Sequence, residues 1–387
     1  MSNEKEKLHI LLTGGGTGGH LFPLIAVARS FVFRTQEEGF AEPEVIFLGP
    51  GKMAQEIFAQ EGITVWNLVA GKLRRYFSLT TILDILKPPI TLIQSLAYLY
   101  WLMPDVIFAK GGYGSAFPVL VGWLYRIPIV IHESDSVMGL ANRLLARFAD
   151  KVILSFPVVY PEFVRGAKRE HLPELYTVLG NPIRPNLMNG STDEGRKIFQ
   201  IDSQKPIILI QGGSQGAQKI NELVLESLPK LLANFEVIHQ IGEKHFVAVK
   251  EIALARTPLE LYSSYHPHAF MDEAGLAHAY ALCSLVVSRA GSGSIFEIAA
   301  IQKPSILIPL PSAADDHQKK NAYLYADFGA STVLEEQNLT PNLFFETINF
   351  VINDEQKRRF MSQRAAEFAR PRAADEIAGM ILDLINE

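Results

Sequence analysis

The amino-acid sequence predicts an α/β protein built from two similar domains in tandem. Short apolar runs of strand length alternate with longer amphipathic segments over most of the 387 residues. The apolar runs are continuous rather than alternating, which is typical of parallel strands covered by helices on both faces. A strand, a glycine loop and a helix start follow one another at Ile10–His20 and again at Ile207–Ala217. Because such a unit opens a Rossmann-like domain, its repetition predicts two of these domains.

The individual elements follow from the same pattern. Short apolar runs predict strands at His9–Leu12, Glu44–Leu48, Val106–Ala109, Ile129–His132, Lys151–Leu154, Pro206–Ile210, Val237–Gln240, Leu285–Ser288 and Ser305–Ile308. Amphipathic segments predict helices at Phe22–Phe33, Leu140–Phe148, Ala217–Leu232 and Ser294–Ala300. Two prolines in Gly180–Pro185 interrupt any regular element, so the domain junction is expected there. Two such domains leave a cleft between them, which is the expected ligand site.

Composition excludes several classes of protein. Hydrophobic residues make up 48% and charged residues 20% of the chain, as in globular proteins. The net charge of -5 argues against broad nucleic-acid binding. The single cysteine, Cys283, excludes an internal disulfide and a cysteine-based zinc site, and it fits a reducing cytosol. The first apolar run is too short for an export signal, so none is expected.

A basic and aromatic segment precedes the most apolar stretch of the chain. Gly71–Phe77 combines three cations with two rings, a mixture that suits a membrane interface. Leu79–Met103 follows, but charged residues and prolines interrupt it before it reaches a membrane-spanning length. The alternative is a solvated basic loop followed by two helices that pack on the core.

The first glycine loop formally matches a dinucleotide-binding fingerprint at Gly14, Gly16 and Gly19. Such a loop brings backbone N–H groups and a helix N-terminus to a phosphate. A dinucleotide site also needs an acidic residue at the end of the second strand, where this chain has Leu48 and Gly49. The sequence therefore favours phosphate binding without NAD, and a simple tight turn is the alternative.

The second glycine loop has two interpretations. It repeats the first loop, which favours another phosphate site, but Gly212–Gly216 also fits the nucleophile elbow of an α/β hydrolase with Ser214 as the nucleophile. Asp272 or Asp315 with His317 would then complete a triad. That interpretation does not explain why the first loop has the same form.

Two further segments carry polar groups after strands. Ser288–Ser294 starts a helix with small hydroxyl residues, and Glu297 lies one turn inside it, where a carboxylate could bind a sugar diol. An ordinary helix start with a stabilising acid is the alternative. Asp315–Asn321 is a cluster of hydrogen-bonding side chains that suits sugar recognition, with a solvated loop as the alternative.

Histidines at three places in the chain are candidates for chemistry. His20 lies where the first loop becomes a helix, and the positive helix end disfavours the imidazolium, so the ring is expected to be able to accept a proton. The alternative is that the His20 side chain only caps the helix or packs against its neighbours. His132–Glu133 follows a strand end, and both side chains are expected to point into the cleft. No Asp-x-Asp pair occurs and His266-x-His268 lacks further ligands, so no catalytic metal is expected.

Together these segments resemble the MurG family, bacterial transferases that add N-acetylglucosamine to lipid I to make lipid II for peptidoglycan. Six motifs occur in the family's order between about residue 8 and about residue 340: Thr13–His20, Gly111–Tyr113, His132–Glu133 with Gly139–Asn142, Gly180–Arg184, Gly212–Ala217, and Ser288–Gly291 with Glu297. Co-linear motifs are far more specific than any single one.

The resemblance implies a GT-B fold, in which two Rossmann-like domains with parallel sheets face each other across an inter-domain cleft. It implies an inverting transfer from UDP-N-acetylglucosamine to the C4 hydroxyl of lipid I, without metal or cofactor. Residues 1–183 would bind the acceptor and the membrane, and 184–371 would bind the donor. A C-terminal helix at about 372–387 would pack back on the first domain.

The resemblance also implies roles for particular residues. His20 would be the general base. Ser214 and the Ser292–Ser294 turn would contact the diphosphate, Glu297 the ribose, backbone near Phe270 and Met271 the uracil, and Gln318 the sugar hydroxyls. The full donor set is Thr17, Gly18, Gly19, Asp135, Arg184, Ser214, Met271, Ser292, Gly293, Ser294, Glu297 and Gln318. The acceptor set is Thr17, His20, Tyr113, Glu133 and Asn142, with Gly18 and Gly19 beside them.

One departure and two alternatives stay open. The family commonly has His-Glu-Gln-Asn where this chain has His132-Glu133-Ser134-Asp135, so the contact made by the usual amide is in doubt.

The resemblance implies a peripheral protein on the cytoplasmic face of the inner membrane, docked through about 71–103, with no nucleic-acid partner. A serine hydrolase that uses Ser214 and a non-catalytic UDP-sugar-binding membrane protein are the alternatives.

Overall fold

The computed structural model describes residues 7–15, 18–69, 79–157, 175–213, 216–311, 313 and 316–387. The basic segment Gly71–Phe77 lies outside this description. The chain divides into two compact units, the first formed by residues up to Ile183 together with Arg372–Glu387, the second by Arg184–Pro371. Each unit has its own parallel sheet and its own apolar core. The prediction of an α/β protein with two Rossmann-like domains is confirmed.

The first unit contains a parallel sheet of seven strands in its described residues. The strands are β1 (His9–Thr13), β2 (Glu44–Gly49), β3 (Thr64–Asn67), β4 (Val106–Ala109), β5 (Ile129–Glu133), β6 (Lys151–Leu154) and β7 (Tyr176–Val178). Their order in the sheet is β3-β2-β1-β4-β5-β6-β7, and Thr13 of β1 pairs with Ala109 of β4. The strand order reverses between β1 and β4, the point where ligands bind at the carboxyl edge of such sheets.

Helices cover both faces of this sheet. They are α1 (Gly18–Glu37), α2 (Lys52–Gln60), α3 (Leu79–Leu102), α4 (Ala116–Leu124) and α5 (Leu140–Leu145), with a 3-10 turn at Ala146–Phe148. Helix α3 runs without a break through Pro88 and Pro89, so the alternative of two helices in this region is wrong. None of the helices in the described part of the chain is both long and apolar enough to cross a bilayer.

The second unit repeats the architecture with six described strands. They are β8 (Ile207–Gln211), β9 (Glu236–Gln240), β10 (Tyr265–His268), β11 (Leu285–Ser288), β12 (Ser305–Leu307) and β13 (Ser331–Val333), in the parallel order β10-β9-β8-β11-β12-β13. The helices are α6 (Thr192–Phe199), α7 (Gln218–Asn234), α8 (Phe246–Arg256), α9 (Leu259–Tyr262), α10 (Glu273–Leu282), α11 (Ser292–Ala300), α12 (His317–Asp327), α13 (Pro341–Asn353) and α14 (Glu355–Phe368), with 3-10 turns at Pro185–Asn189 and Glu336–Asn338.

The C-terminal helix, α15 (Ala373–Asn386), belongs to the first unit and packs against α1. Its apolar side chains Ile377 and Ile381 are fully buried in the core cluster that also contains Leu24 of α1. The Arg34 guanidinium donates to both oxygens of Asp375, at 2.6 and 2.9 Å. The last segment of the chain therefore completes a core whose other elements come from the first 183 residues.

Candidate active site

In the first unit, the loops after β1 and β4 lie side by side because these strands are neighbours. A Cβ on Gly112 would lie 3.5 Å from the Cα of Gly15 and 3.7 Å from Cε1 of His20. Gly111 and Gly112 have φ of 83° and 81°, a region that favours glycine. A Cβ on Gly111 would also lie 2.3 Å from Oδ1 of Asn142. The glycine pair thus lets His20 and Asn142 approach the same stretch of backbone.

Glu133 organises the loop that follows β5. Its buried carboxylate accepts hydrogen bonds from Asn142 Nδ2 at 2.9 Å and from the backbone N–H groups of Asp135 and Gly139, each at 3.0 Å. Burial raises the pKa of Glu133, the charge of Asp135 raises it further, and these three hydrogen bonds oppose the rise. The carboxylate therefore fixes the 133–142 loop from inside.

His132 does not face the same way as Glu133, so the expectation that both point into the cleft is wrong. Adjacent residues of a strand point to opposite faces, and the His132 side chain is 0% exposed. Its Nε2 lies 3.0 Å from the carbonyl oxygen of Gly180, and its Nδ1 contacts Lys110 Nζ. Burial, and then the charge of Lys110, lower the pKa of His132 well below its usual value. A neutral, interior ring is the result.

The other predicted residues of this unit lie around the same loops. Gly18 and Gly19 begin α1, with His20 directly after them. Tyr113 directly follows the glycine pair and is half-buried, and burial raises the pKa of its phenol. Asp135 is half-buried in the loop held by Glu133. Thr17 lies outside the described residues.

In the second unit, Arg184 and Glu297 form an ion pair. The guanidinium donates through Nη2 at 2.9 Å and through Nε at 3.2 Å to Oε1 of Glu297. The Tyr280 hydroxyl lies 3.4 Å from the other carboxylate oxygen, and it accepts a hydrogen bond at 2.8 Å from Gln211 at the end of β8. Arg184 and Glu297, both assigned to the predicted donor set, are thus in direct contact.

The remaining donor candidates of this unit lie at loop and helix ends. Ser292, Gly293 and Ser294 form the first turn of α11, where backbone N–H groups lack helical partners. Met271 is buried, and its N–H donates to Gln240 Oε1 at 3.1 Å. Gln318 lies in the first turn of α12, and its Oε1 accepts from the N–H of Leu310 at 3.0 Å. Ser214 lies outside the described residues.

The glycines that flank Ser214 allow close backbone contacts. Gly213 and Gly216 have φ of 82° and 75°. A Cβ on Gly216 would lie 2.2 Å from the carbonyl oxygen of Ile241, and one on Gly212 would lie 2.4 Å from the N of Ala217. A side chain at Gly212 or Gly216 would collide with backbone, so the loop needs glycine there.

Similarity to known proteins extends over the whole chain. The glycosyltransferase family 28 N-terminal domain matches residues 10–154, and its C-terminal domain matches 207–377. A UDP-N-acetylglucosamine–N-acetylmuramyl-(pentapeptide) pyrophosphoryl-undecaprenol N-acetylglucosamine transferase of Legionella pneumophila (strain Paris) is 36% identical over 96% of this chain and 96% of its own. A relative with the same name from Treponema denticola is 31% identical, also over 96% of each chain.

The solved structures agree. The crystal structure of Acinetobacter baumannii MurG has a TM-score of 0.70 and 26% identity, and the match covers 97% of this chain and 99% of that one. The chain belongs to the MurG family of glycosyltransferase family 28. The S. aureus MnaA–UDP structure, with a TM-score of 0.70, 14% identity and coverage of 99% and 98%, is similar in fold alone.

Membership of the MurG family leaves the two alternative functions without support. Of the acids considered for a hydrolase triad, Asp272 instead caps α10, its Oδ1 accepting from the N–H of Gly275 at 2.8 Å. Asp315, like Ser214, is outside the described part of the chain. Within that part, no three His, Cys, Asp or Glu side chains are grouped as a metal site.

Three residues of the two sites were not identified from the sequence. They are Lys110, Tyr280 and Gln211. Lys110 had a visible signal, since it is a cation between a fully apolar strand and a glycine pair. Tyr280 lies within an apolar helix and Gln211 at a strand end, so neither could be distinguished from ordinary core positions. Their roles come from partners that are distant in sequence.

Proposed function

We propose that this protein is an inverting glycosyltransferase that moves N-acetylglucosamine from UDP-N-acetylglucosamine to the C4 hydroxyl of N-acetylmuramoyl-pentapeptide on undecaprenyl pyrophosphate. The observation that carries the proposal is the end-to-end similarity to transferases named for this reaction, at 36% identity over 96% of each chain in one case. The product would be lipid II, the precursor of peptidoglycan.

In this proposal the first unit binds the acceptor and supplies the base. His20 takes the proton from the C4 hydroxyl as that oxygen attacks the anomeric carbon on the face opposite UDP, which inverts the configuration. The short approach of the His20 ring to Gly112 and Gly15 supports this role, because it places the imidazole at the carboxyl edge of the sheet. Thr17, Tyr113, Glu133 and Asn142 would contact the acceptor.

The second unit would hold the donor. The first turn of α11, Ser292–Ser294, offers unpaired N–H groups and a positive dipole to the diphosphate, and Ser214 would add its hydroxyl. Arg184 would place a cation near the leaving group and orient Glu297 for the ribose hydroxyls. Backbone at Met271 would contact uracil, and Gln318 the sugar.

The donor's departure would need no metal in this scheme. As the bond to the sugar breaks, the diphosphate gains negative charge, and fixed N–H dipoles with Arg184 would stabilise that charge. Gly18, Gly19 and Asp135 of the first unit would complete the donor contacts. Asp135 would accept a hydrogen bond from a sugar hydroxyl, where the usual amide can also donate one.

The enzyme would act as a peripheral protein on the cytoplasmic face of the inner membrane, where its lipid acceptor is made. Support comes from the apolar side chains that α3 and α4 expose together, among them Trp101 at 79% exposure. The others with described exposure are Ile90, Ile93, Tyr100, Leu120, Trp123 and Leu124, and Met103, directly after α3, is exposed as well. We propose that the region 71–103 docks on the bilayer through this face.

Incubation of the purified protein with radiolabelled UDP-N-acetylglucosamine and a lipid I analogue tests the proposal. We expect label in the lipid product with and without EDTA. Label in the product only when divalent metal is present would contradict the metal-free scheme. Donor binding without any product, in the presence of the acceptor, would contradict the proposed function itself.

A further inference from the structure

A buried arginine links two neighbouring strands of the second unit where they end. Arg289 directly follows β11 and lies three residues before the first turn of α11. It is 8% exposed. Its Nη1 donates to the carbonyl oxygens of Ile308 at 3.1 Å and Pro309 at 3.4 Å, the two residues that follow β12. The side chain therefore holds the backbone that leaves β12 against the start of the α11 segment.

An acid on the next strand's connection balances the charge of this arginine. A guanidinium stays charged in a protein, so its burial requires a partner. Oε2 of Glu336, in the 3-10 turn that follows β13, lies 2.5 Å from Arg289 Nη1, and the two side chains are 20% and 9% exposed. Because β11, β12 and β13 are neighbours, Arg289 contacts the segments after all three strands.

The backbone that Arg289 holds leads directly to Gln318, the residue predicted to contact the donor sugar. The N–H of Leu310, which follows Pro309, donates to Oε1 of Gln318 at 3.0 Å. A backbone N–H can only donate, so this contact fixes which end of the amide faces Leu310. The opposite end, Nε2, is the one that can donate to a ligand. The direction of the Gln318 amide thus depends on the backbone fixed by Arg289.

Resting on the proposed transfer, we propose that Arg289 is a positioning residue for the donor sugar. Its guanidinium fixes the Ile308–Pro309 backbone and, through Leu310, directs the Gln318 amide toward the sugar. The nucleotide contacts proposed for Glu297 and Met271 lie on other segments. The effect of Arg289 should therefore fall on the sugar part of the donor and not on its UDP part.

The variant Arg289→Met tests this separation by calorimetric titration with UDP and with UDP-N-acetylglucosamine, at a temperature where the variant is folded. We expect the Kd of UDP-N-acetylglucosamine to rise about ten-fold, the effect of about one hydrogen bond. The Kd of UDP should change less than about two-fold. Equal losses for the two ligands, or no loss for either, would overturn the role of Arg289.

Arg359→Met is the matched control, because Arg359 pairs with Glu355 on α14, where the two side chains are 80% and 64% exposed. An ion pair this exposed contributes little. Both Kd values should equal those of the parent. A ten-fold loss in this control would mean that the titration does not report the Arg289 contacts, and it would count against the inference.

A double-mutant cycle with Gln318→Ala tests whether Arg289 acts through Gln318. If it does, Arg289→Met should weaken UDP-N-acetylglucosamine binding about ten-fold in the parent but less than about two-fold in the Gln318→Ala background. The same loss in both backgrounds would contradict the route through Leu310, because independent sites have additive effects.

The combined variant Arg289→Met with Glu336→Gln separates positioning from stability. Arg289→Met should lower Tm, because the Glu336 carboxylate loses its cation, and the added glutamine should recover part of that loss. The weaker binding of UDP-N-acetylglucosamine should persist, because the contacts to the Ile308 and Pro309 carbonyls are still missing. Affinity that recovers together with Tm would show a structural role only.

These experiments distinguish failure of the inference from failure of the proposed function. If the parent binds UDP-N-acetylglucosamine but forms no lipid product, the proposed transfer fails while the titrations still test Arg289. If the parent is active and Arg289→Met affects UDP and UDP-N-acetylglucosamine equally, the inference alone fails. A parent that binds neither ligand would overturn both.

Discussion

Two nitrogens of the Arg184 guanidinium donate to the same carboxylate oxygen of Glu297, and both side chains are largely buried. Nη2 and Nε of the guanidinium lie 2.9 and 3.2 Å from Oε1, and the two side chains are 10% and 12% exposed. Losing one partner of a buried pair leaves an uncompensated charge, which costs more than the pair itself contributes. If Glu297 binds the donor as proposed, a change at this position affects both donor binding and the stability of the second unit.

Replacing Glu297 separates these two effects. We expect Glu297→Ala to lower the free energy of unfolding by about 3 kcal/mol, because the buried Arg184 guanidinium loses its carboxylate partner. We also expect UDP affinity to fall at least about ten-fold, because the ribose loses its acceptor. Calorimetric titration with UDP, at a temperature where the variant is folded, measures the second effect. Glu226→Ala, at an exposed site on α7, is the control, and unchanged UDP affinity in Glu297→Ala would refute the ribose role.

The Tyr280 hydroxyl lies between Gln211 and Glu297, so Tyr280→Phe tests whether it orients the carboxylate. We expect a loss of stability of about 1 kcal/mol and a rise of a few-fold in the KM for the donor, with the acceptor KM unchanged. Burial, and then the charge of Glu297, raise the pKa of this phenol well above its usual value. The phenol stays protonated throughout an ordinary assay range, so the change should be independent of pH. Steady-state kinetics with each substrate varied in turn would detect it.

Removing the imidazole of His20 should stop transfer but not donor binding. We expect His20→Ala to lower kcat by about 10²-fold or more, the contribution typical of a positioned base. UDP affinity should stay within about two-fold of the parent, because the donor set of the second unit is untouched. Full transfer activity in this variant would remove His20 from the mechanism.

His239 predicts how acid affects the second unit. Its Nδ1 lies 2.9 Å from the Tyr265 hydroxyl, its Nε2 lies 3.1 Å from Asn221 Oδ1, and burial lowers its pKa to about 3. The unfolded chain binds a proton near the ordinary histidine pKa, while the folded chain does not. Stability from this residue is therefore complete above that value and falls as the pH drops toward 3, by up to about 1.4 kcal/mol per pH unit.

The variant His239→Gln gives the corresponding measurement. It should be less stable than the parent at neutral pH, because Tyr265 and Asn221 lose their partner. The difference in stability between the parent and the variant should narrow on acidification, since only the parent has a histidine at position 239 that must stay neutral in the folded state. Urea unfolding between about pH 6 and pH 4 would show the narrowing. A difference in the free energy of unfolding between parent and variant that stays constant with pH would contradict this prediction.

The C-terminal helix should depend on apolar burial more than on its ion pair. Asp375→Asn should cost less than about 1 kcal/mol, because Arg34 and Asp375 are 32% and 43% exposed and solvent screens them. The hydrogen bond from Arg34 lowers the pKa of Asp375, so this small contribution exists above the usual carboxyl pKa and disappears on acidification. Ile381→Ala, in the core, should cost about 2–5 kcal/mol. Urea unfolding ranks the two variants, and the reverse order would contradict the argument.

The central strands of each sheet could be predicted because both their faces are buried. Ile207–Gln211 and Val106–Ala109 are continuous apolar runs, and the structure has them within one or two residues of the prediction. Tyr265–His268 and Ser331–Val333 were missed, because short polar sequences become edge strands only through their neighbours. Thr64–Asn67 and Tyr176–Val178 were missed for the same reason.

The site was predictable where a motif fixes the backbone. The resemblance to the MurG family placed His20 and Asn142 in one predicted acceptor set, and in the structure both lie beside the Gly111–Gly112 pair. Lys110 could be noticed as a cation after an apolar strand, but its burial could not be predicted, because lysine usually lies at the surface and the partners that compensate its burial are at positions 132 and 181. The orientation of His132 follows from the alternation of side chains along a strand, and the prediction did not take that alternation into account.

Because α15 belongs to the first unit, translation completes the second unit before it completes the first. The ribosome completes residues 184–371 before it adds Ile377 and Ile381, the side chains that close the core around α1. Domains fold as whole units, so the half that is made first should mature last. Until residues 373–386 have been made, the apolar face of α1 that they cover is the surface that we expect a chaperone to protect.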